Sequence, residues 1–239
     1  MDAFTRRKVL LYDTPPLTMD IVWGEEMTEN PGLQITLDVQ GRSCVVLGGD
    51  DEAAEKVQRL LEAGAKVTVI NPTLNDQLRK LTSSAKILHR ARLFRSADAQ
   101  GVVLIINTLS SDTEQAKALY QLALAEKVLL CSTDQPEYSS VAMPALVKRG
   151  HLRIAVSTSG AAPRLASQLR QDLEVLFDDR FGSFLDWLAR LRQEIRSAEP
   201  DADKRRTKLQ DAVAGFKLTG SIEYPKGWPA ETRPDESTN

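Results

Sequence analysis

The sequence predicts an α/β fold in which a parallel sheet is followed by a helical region. Short, continuous apolar runs alternate with amphipathic helical patterns up to residue 132, which is typical of strands that are buried on both faces. A glycine-containing turn joins the first apolar run to the first helical pattern. After residue 157, three helical patterns follow one another without an intervening strand.

The first elements form a strand, a glycine turn, a helix and a second strand. Ser43–Leu47 is a short apolar run, and Asp51–Ala63 is amphipathic, with its apolar side chains on one face. Gly64 is expected to end this helix as a C-cap, and Lys66–Ile70 is the second strand. This order is that of the opening βαβ unit of a dinucleotide-binding fold.

The remaining elements follow from the same patterns, with less regular boundaries. They are a helix over 74–81, a weak strand over 86–88, a buried strand over 101–107, a helix from Ser111 or Asp112 to Glu126, a strand over 128–132, a turn and helix over 136–149, and a sixth strand over 151–157. The helical region then comprises residues 163–177, 181–198 and 201–216.

The composition is that of an ordinary globular protein, with 42% apolar and 27% charged residues. The net charge of -2 gives no electrostatic reason to expect a nucleic acid or an anionic membrane as partner. No apolar run approaches the length of a membrane span, and the run near the N-terminus is too short for a signal peptide. Cys44 and Cys131 lie in apolar strand-like runs, so we expect two buried, reduced thiols and a cytoplasmic location.

The glycine turn departs from the usual dinucleotide fingerprint. In G-x-G-x-x-G/A the first glycine makes the turn, the second admits the pyrophosphate and the third allows helix and strand to pack. This chain has Gly48-x-Asp50-x-x-Ala53, which places a carboxylate at the pyrophosphate position. The acid expected about 20 residues later, on the ribose hydroxyl, is replaced by Asn71. Because carboxylates stabilise any helix N-terminus by roughly 0.3–1 kcal/mol each, the turn predicts the fold and leaves NAD binding open.

Several ordered blocks extend the pattern over most of the chain. They are LDVQGRSCVVLGG at 37–49, KVQRLLEAGAKVTVINP at 56–72 and STDQPEYSSVAMPALVKRGHLRIAVSTSGAAPRLASQLRQDLE at 132–174. Through these blocks, residues 33–198 resemble the precorrin-2 dehydrogenase family of the siroheme synthase N-terminal type, which includes sirohydrochlorin ferrochelatases. The later blocks match the family segments F-x-x-P-A and A-[IV]-S-[TS]-G-G-x-S-P closely.

The resemblance implies a Rossmann-type domain, a dimerisation region and a small helical C-terminal domain in a homodimer, with a tetrapyrrole substrate between the first two. It also implies NAD as cofactor and Fe(II) as a second substrate where ferrochelatase activity is present. His89 and His151 have no partner spacing for a metal site, so none is expected. The predicted organisation is an N-terminal extension (1–31), a Rossmann NAD-binding-like domain (32–136), a dimerisation region (137–178), a helical C-terminal domain (179–224) and a tail (225–239).

The site residues follow from the same resemblance. Asp134 falls on the aspartate of the family's N-V-x-D segment, which implies a role as acid/base in dehydrogenation and in metal insertion. The residues expected to contact NAD are Gly48, Gly49, Asp50, Asn71 and Thr108. The residues that offer hydroxyl and N–H groups to substrate carboxylates, unless they form an ordinary helix-capping loop, are Ser157, Thr158, Ser159 and Gly160.

Three departures from the family pattern lie on the cofactor side. Asp50 replaces a glycine, Thr108-Leu109-Ser110 replaces T-[DN]-[DN], and Cys131 replaces the asparagine of N-V-x-D. The resemblance implies NAD-dependent oxidation of precorrin-2 to sirohydrochlorin. Two alternatives stay open: a non-redox tetrapyrrole-binding protein or chelatase with a lost nucleotide site, and an unrelated Rossmann-type sensor that binds a nucleotide as a signal.

Overall fold

The computed structural model describes residues 32–109 and 113–221, in which five strands form a parallel sheet. The strands are β1 (Ser43–Leu47), β2 (Lys66–Ile70), β3 (Leu88–Arg90), β4 (Leu104–Asn107) and β5 (Leu129–Ser132), in the order β3-β2-β1-β4-β5. The helices between them are α1 (Asp51–Glu62), α2 (Asp76–Ser83) and α3 (Thr113–Glu126). The strand order reverses between β1 and β4, the switch point at which such sheets bind ligands. The predicted Rossmann-type α/β fold is confirmed.

The sheet is covered on both faces, as its continuous apolar strands predict. Val46, Val69 and Ile106 pack on one face with α1 and α2. Val45 and Ile105 pack on the other face with α3. Because successive strand residues point to opposite faces, each strand contributes to both halves of the core. The edge of the sheet at the carboxyl ends of the strands is left accessible.

Most predicted elements are confirmed to within three residues at each end. The C-cap of α1 is Ala63, and Gly64 follows it with a φ of +76°. The helix α2 begins later than predicted because the Asn75 side chain accepts a hydrogen bond from the Leu78 N–H and caps it. The parts of the prediction that lie outside the described residues are the caps Ser111 and Asp112, the extension 1–31 and the tail 225–239.

The helix predicted within 136–149 is wrong. This segment contains a short 3₁₀ turn, Pro136–Tyr138, and then a strand, β6 (Ala145–Arg149), which pairs with β7 (Leu152–Val156) in a separate two-stranded sheet. Gly150, with a φ of +53°, begins the two-residue connection between them. A short apolar run that ends at a glycine fits both a helix C-terminus and a hairpin strand, so periodicity alone does not distinguish the two.

The predicted helical region is confirmed. Its helices are α4 (Pro163–Leu176), α5 (Asp179–Ala198) and α6 (Ala202–Val213). Arg149 holds the end of β6 against this region, since its Nε donates to the Phe177 carbonyl at 2.7 Å and its Nη1 contacts Asp179 at 2.7 Å. Phe177 and Phe181 pack with ring centroids 4.8 Å apart, which adds an aromatic core to the same region.

The chain divides into two compact units. Among the described residues, the first contains 32–109 and 113–145 together with Ser157–Ala166, and the second contains Leu146–Val156 and residues 167–221. The predicted division into five segments stays a prediction. Over the described ranges, no helix is both long and apolar enough to cross a membrane.

Cys44 and Cys131 are buried, free thiols, as the sequence predicts. Burial raises the pKa of Cys44 to about 11. Burial also raises the pKa of Cys131, and a hydrogen bond from the Met143 N–H partly offsets this effect. Both thiols therefore remain protonated at neutral pH and serve as small apolar core residues.

Candidate functional site

A cavity of about 260 Å³ opens at the carboxyl edge of the parallel sheet, within the first unit. The ends of β1 and β2, the segment that follows β3, and α3 line it. Most of its walls are apolar, and they include Leu47, Ile70, Phe94, Leu109 and Leu119. This is the position at which a sheet of this topology holds the adenosine half of a dinucleotide, and apolar walls suit an adenine ring.

The two glycines of the turn are required by contacts within the protein. Gly48 has a φ of +129°, and a Cβ there would lie 2.1 Å from Thr108 Oγ1. A Cβ on Gly49 would lie 2.0 Å from the carbonyl oxygen of Thr73 and 2.7 Å from Asn71 Nδ2. The structure therefore brings four of the predicted cofactor-binding residues together, and close packing alone accounts for both glycines.

Replacing Gly49 by alanine is expected to lower the free energy of unfolding by about 2 kcal/mol, because the Thr73 carbonyl must move away from the new methyl group. The Gly49 carbonyl also accepts a hydrogen bond from the Asn75 N–H at 2.7 Å, so the displacement disturbs the whole turn. Urea unfolding measures the change. Gly220→Ala is the control, since a Cβ there meets no atom of the described residues within 4 Å. Equal stability of the two variants would contradict the predicted clash.

Asp50 is the N-cap of α1. Its Oδ1 accepts a hydrogen bond from the Ala53 N–H at 3.0 Å. Asp51 follows, and its carboxylate accepts a hydrogen bond from Asn75 Nδ2 at 2.7 Å, while Glu52 adds a third negative charge in the first turn. An N–H group that a phosphate would bind at this helix end is thus already bound by an anion.

Replacing Asp50 by glycine is expected to raise the affinity for NAD by about tenfold, equivalent to ~1.4 kcal/mol, because it removes a charge and releases the Ala53 N–H. Loss of the cap itself costs only a few tenths of a kcal/mol when the replacement is glycine. Titration calorimetry measures the affinity. Asp50→Asn keeps a capping oxygen and removes only the charge, so it separates repulsion from blockage of the N–H. Unchanged affinity in both variants would show that the diphosphate does not approach this helix end.

Asn71 and Thr108 are both engaged with the protein. Asn71 Nδ2 donates to the Thr73 carbonyl at 2.7 Å, and the Asn71 backbone carbonyl lies 2.9 Å from His89 Nε2. Thr108 is buried, and its hydroxyl donates to the Leu47 carbonyl at 2.9 Å. Asn71 lines the cavity, whereas Thr108 packs behind the glycine turn.

Asp134 lies two residues beyond β5, at the same edge of the sheet as the glycine turn. The Thr133 N–H donates to the Asn107 carbonyl at 2.8 Å and anchors this segment beside β4. Asp134 has a φ of +59°, a conformation that costs most residues roughly 1 kcal/mol and that aspartate and asparagine tolerate best. Its side chain is exposed and accepts no hydrogen bond from any residue that the structure describes. This geometry presents a carboxylate that can accept a proton.

The loop Ser157–Gly160 is held by local hydrogen bonds. The Ser159 N–H donates to Ser157 Oγ at 3.2 Å. The Ala162 N–H donates to Thr158 Oγ1 at 3.1 Å, which satisfies a donor at the start of α4. Capping therefore accounts for two of the hydroxyl oxygens, although their O–H groups can still donate to a ligand. The predicted role in substrate binding stays a prediction.

A cluster around Asp98 is the part of the site that sequence reasoning missed. Asp98 is 6% exposed, and its carboxylate accepts hydrogen bonds from Arg92 Nη1 and Nη2 at 2.7 Å, from Arg90, and from the Arg95 N–H at 2.9 Å. The Arg92 guanidinium is the main cause that holds the pKa of Asp98 well below its usual range, and Asp98 raises the pKa of Arg92 in return. Arg92 and Arg95 also line the cavity. The sequence feature that could have indicated this cluster is the concentration of arginines directly after a predicted strand.

Comparisons with known proteins relate the chain to two protein-family models and to siroheme synthases. A model of NAD(P)-binding domains matches residues 35–145, and a model for the central part of a sirohaem biosynthesis protein matches residues 149–176. A siroheme synthase from Neisseria meningitidis serogroup C is 36% identical over 172 residues, which cover 72% of this chain and 36% of that protein. A siroheme synthase from Methylobacillus flagellatus is 33% identical over 183 residues, which cover 77% of this chain and 39% of that protein. The chain therefore matches less than half the length of these relatives.

A solved structure named "SirC, precorrin-2 dehydrogenase" superimposes with a TM-score of 0.63 at 21% identity, over 77% of this chain and 90% of that chain. At this identity the likeness supports the fold. The two consecutive family models and the siroheme synthase relatives agree with the ordered blocks found in the sequence. Over residues 35–176 the chain is therefore similar to NAD(P)-binding and sirohaem biosynthesis domains and to a part of the siroheme synthases.

Proposed function

We propose that this protein oxidises precorrin-2 to sirohydrochlorin with NAD, as a step of siroheme biosynthesis. The names of its siroheme synthase relatives and of the precorrin-2 dehydrogenase neighbour support the substrate. The observation that carries the proposal is the pairing, at one edge of the sheet, of a cavity of nucleotide type with the exposed carboxylate of Asp134. These are the two parts that a dehydrogenation needs, namely a place for a hydride acceptor and a base.

The residues at the sheet edge fit the adenosine half of NAD better than its diphosphate. The cavity walls would hold the adenosine, with Asn71 beside the ribose. Gly48 and Gly49 would bring the backbone close to the diphosphate, which the Asp50 carboxylate opposes. When bound, the nicotinamide ring of NAD supplies the acceptor for a hydride.

Asp134 would remove the proton in this reaction. The oxidation takes two hydrogens from precorrin-2: one leaves as a hydride that converts NAD⁺ to NADH, and the other leaves as a proton that the carboxylate accepts. The same carboxylate would accept a proton displaced from a pyrrole nitrogen when Fe(II) enters sirohydrochlorin. The residues that would bind the substrate carboxylates are Ser157, Thr158, Ser159 and Gly160.

A homodimer in the cytoplasm is part of the proposal. The second unit exposes several large apolar side chains, including Val175 (81% exposed), Phe216 (52%) and Leu218 (59%). Exposed apolar groups of this size are typical of surfaces that a partner covers. The buried free thiols of Cys44 and Cys131 support a reducing compartment.

A chelatase or tetrapyrrole-binding protein without a nucleotide site is the second candidate. The Asp50 cap favours it, because the carboxylate occupies the helix end that would bind the diphosphate. Fe(II) would then be the substrate of the only reaction. Among residues 32–109 and 113–221, no group of three His, Cys, Asp or Glu side chains is placed to hold a metal ion.

Anaerobic incubation of the protein with precorrin-2, with and without NAD, tests the proposal through the absorbance of sirohydrochlorin. Product that depends on NAD is the expected result. Product no faster than the spontaneous rate would overturn the dehydrogenase proposal, and addition of Fe(II) with sirohydrochlorin to the same sample would then test the chelatase. Binding of NAD without any turnover would favour a nucleotide sensor.

A further inference from the structure

We propose that Ser139 is a positioning residue for Asp134, and that its hydroxyl keeps the carboxylate of Asp134 in place at the edge of the sheet. The inference rests on the proposed function in that Asp134 acts as the base. Ser139 follows the 3₁₀ turn Pro136–Tyr138, which begins shortly after Asp134. Its side chain acts on Asp134 through the backbone, so it needs no contact with the substrate or the dinucleotide.

The Ser139 hydroxyl contacts the backbone before and after Asp134. Its Oγ accepts a hydrogen bond from the Ser132 N–H at 2.9 Å. The same Oγ lies 3.2 Å from the carbonyl oxygen of Ser132 and 3.2 Å from that of Gln135. Because a hydroxyl has one hydrogen to donate and two lone pairs, it accepts from the N–H and shares its own hydrogen between the two carbonyls. One side chain thus ties the end of β5 to the residue that follows Asp134.

The position of the Asp134 carboxylate depends on the backbone, since this exposed side chain makes no hydrogen bond with any residue that the structure describes. The backbone at Asp134 has a φ of +59°, a left-handed conformation that persists where the surrounding bonds enforce it. The bond that closes the turn around it, from the Gln135 N–H to the Ser132 carbonyl, is long at 3.4 Å. The Ser139 hydroxyl binds both residues of this bond and therefore reinforces the turn that presents the carboxylate.

Water cannot easily take the place of the Ser139 hydroxyl, because Ser132 and Gln135 are only 5% and 6% exposed. Ser139→Ala would leave the Ser132 N–H without its acceptor, and a buried donor without a partner is unfavourable. The turn would relieve this by moving. Since a displacement of about 1 Å in a reacting group can slow a reaction by roughly 10²-fold, the loss of this one hydroxyl is expected to misplace the base.

The adjacent Ser140 provides a matched comparison. Its Oγ accepts a hydrogen bond from the Leu130 N–H at 2.9 Å and lies 3.4 Å from the Leu130 carbonyl oxygen. Ser139 and Ser140 thus make the same kind of contact with β5, the strand at one edge of the sheet. The Ser139 hydroxyl also reaches Gln135, beyond Asp134, whereas that of Ser140 makes no such contact with the described residues. Loss of the Ser140 hydroxyl should therefore weaken the edge of the sheet without moving the base.

Anaerobic single-turnover kinetics on the full chain, with saturating dinucleotide and varied precorrin-2, test the inference. Ser139→Ala should slow the chemical step at least about tenfold and leave the affinities for precorrin-2 and the dinucleotide within about twofold. Ser139→Thr keeps the hydroxyl on an extended residue (φ -129°, ψ 140°) and should restore most of the rate. Ser140→Ala, the control, should lose comparable stability in urea and keep the full rate.

A double-mutant cycle distinguishes positioning from a general effect on the fold. In the Asp134→Asn background no base is left to misplace, so addition of Ser139→Ala should slow the residual reaction by no more than about twofold. Amide hydrogen exchange gives a readout that does not depend on activity. The Gln135 N–H should exchange at least about tenfold faster in Ser139→Ala than in Ser140→Ala.

Equal slowing in the two alanine variants overturns the inference, and so does a Ser139→Ala effect that persists in full without the Asp134 carboxylate. A full rate in Ser139→Ala also overturns it and leaves the proposed dehydrogenase intact. Absence of any NAD-dependent product from the unaltered protein overturns the proposed function. In that case faster exchange at Gln135 in Ser139→Ala supports the role of Ser139 in holding Asp134, and equal exchange in both alanine variants overturns it.

Discussion

Replacing Asp134 by asparagine is expected to lower the rate of precorrin-2 oxidation by about 10²–10⁴-fold, the contribution of a positioned general base. The amide cannot take the proton that leaves precorrin-2. Asparagine is close to aspartate in size and tolerates the φ of +59° at this position. The lower rate would therefore reflect the missing base and not a disturbed fold. Anaerobic single-turnover kinetics with saturating dinucleotide measure the rate of the chemical step.

The control for this variant is Glu137→Gln, which removes a neighbouring exposed carboxylate from the 3₁₀ turn after Asp134. It should keep the full rate. Dinucleotide affinity, measured by calorimetry, should be the same in both variants, because the cavity residues are not altered. A rate in Asp134→Asn within a few fold of the unaltered protein would remove Asp134 from the proposed mechanism.

The sheet and its first helix were predictable because the local signals agree with one another. Apolar runs mark β1 and β2, the helical period marks α1, and Gly64 follows the α1 C-cap with the positive φ that favours glycine. Each of these signals is a property of a few consecutive residues. The observed boundaries of these elements differ from the predicted ones by at most three residues. At α2 the difference arises because the Asn75 side chain caps the helix and fixes its start.

The parts that the sequence could not predict depend on contacts between distant or ambiguous segments. The strand β6 has too few residues for its periodicity to exclude a helix. The Asp98 cluster requires the 3₁₀ turn Ser96–Ala99 to fold back onto arginines that precede it. The sequence places a carboxylate at Asp50, but its hydrogen bond from the Ala53 N–H is visible only in three dimensions. The residue types of the turn fit both a phosphate-binding site and a capped helix. Only the three-dimensional geometry distinguishes these two interpretations.

Replacing Asp98 by asparagine is expected to lower the free energy of unfolding by about 3 kcal/mol at neutral pH. Its side chain is 3% exposed, and the change leaves Arg92 and Arg90 without their buried anion. This value is at the lower end of the destabilisation that is usual when a buried ion pair is broken. The two arginine side chains are 31% and 42% exposed, so water replaces part of the lost interaction. Urea unfolding at constant m-value measures the difference.

The matched control for Asp98 is Asp76→Asn, because Asp76 pairs with Arg79 at 2.5 Å on the protein surface, where the two side chains are 84% and 62% exposed. A pair of the same residue types in water should change stability by less than about 1 kcal/mol. A similar loss of stability in Asp98→Asn and Asp76→Asn would mean that burial does not strengthen the Asp98 cluster.

The stabilisation by Asp98 should also depend on pH in a defined direction. Its arginine partners hold its pKa in the folded protein well below the ordinary value of 3.8, so the unfolded chain binds the proton first as the pH falls. The stability difference between the unaltered protein and Asp98→Asn should therefore be complete above about pH 5 and decrease steadily below the ordinary carboxyl pKa. A difference that stayed constant down to pH 2 would show that Asp98 acts through shape and neutral hydrogen bonds. Since the same carboxylate fixes Arg92, a pH-dependent loss of stability would link the integrity of the cavity wall to the charge on this one side chain.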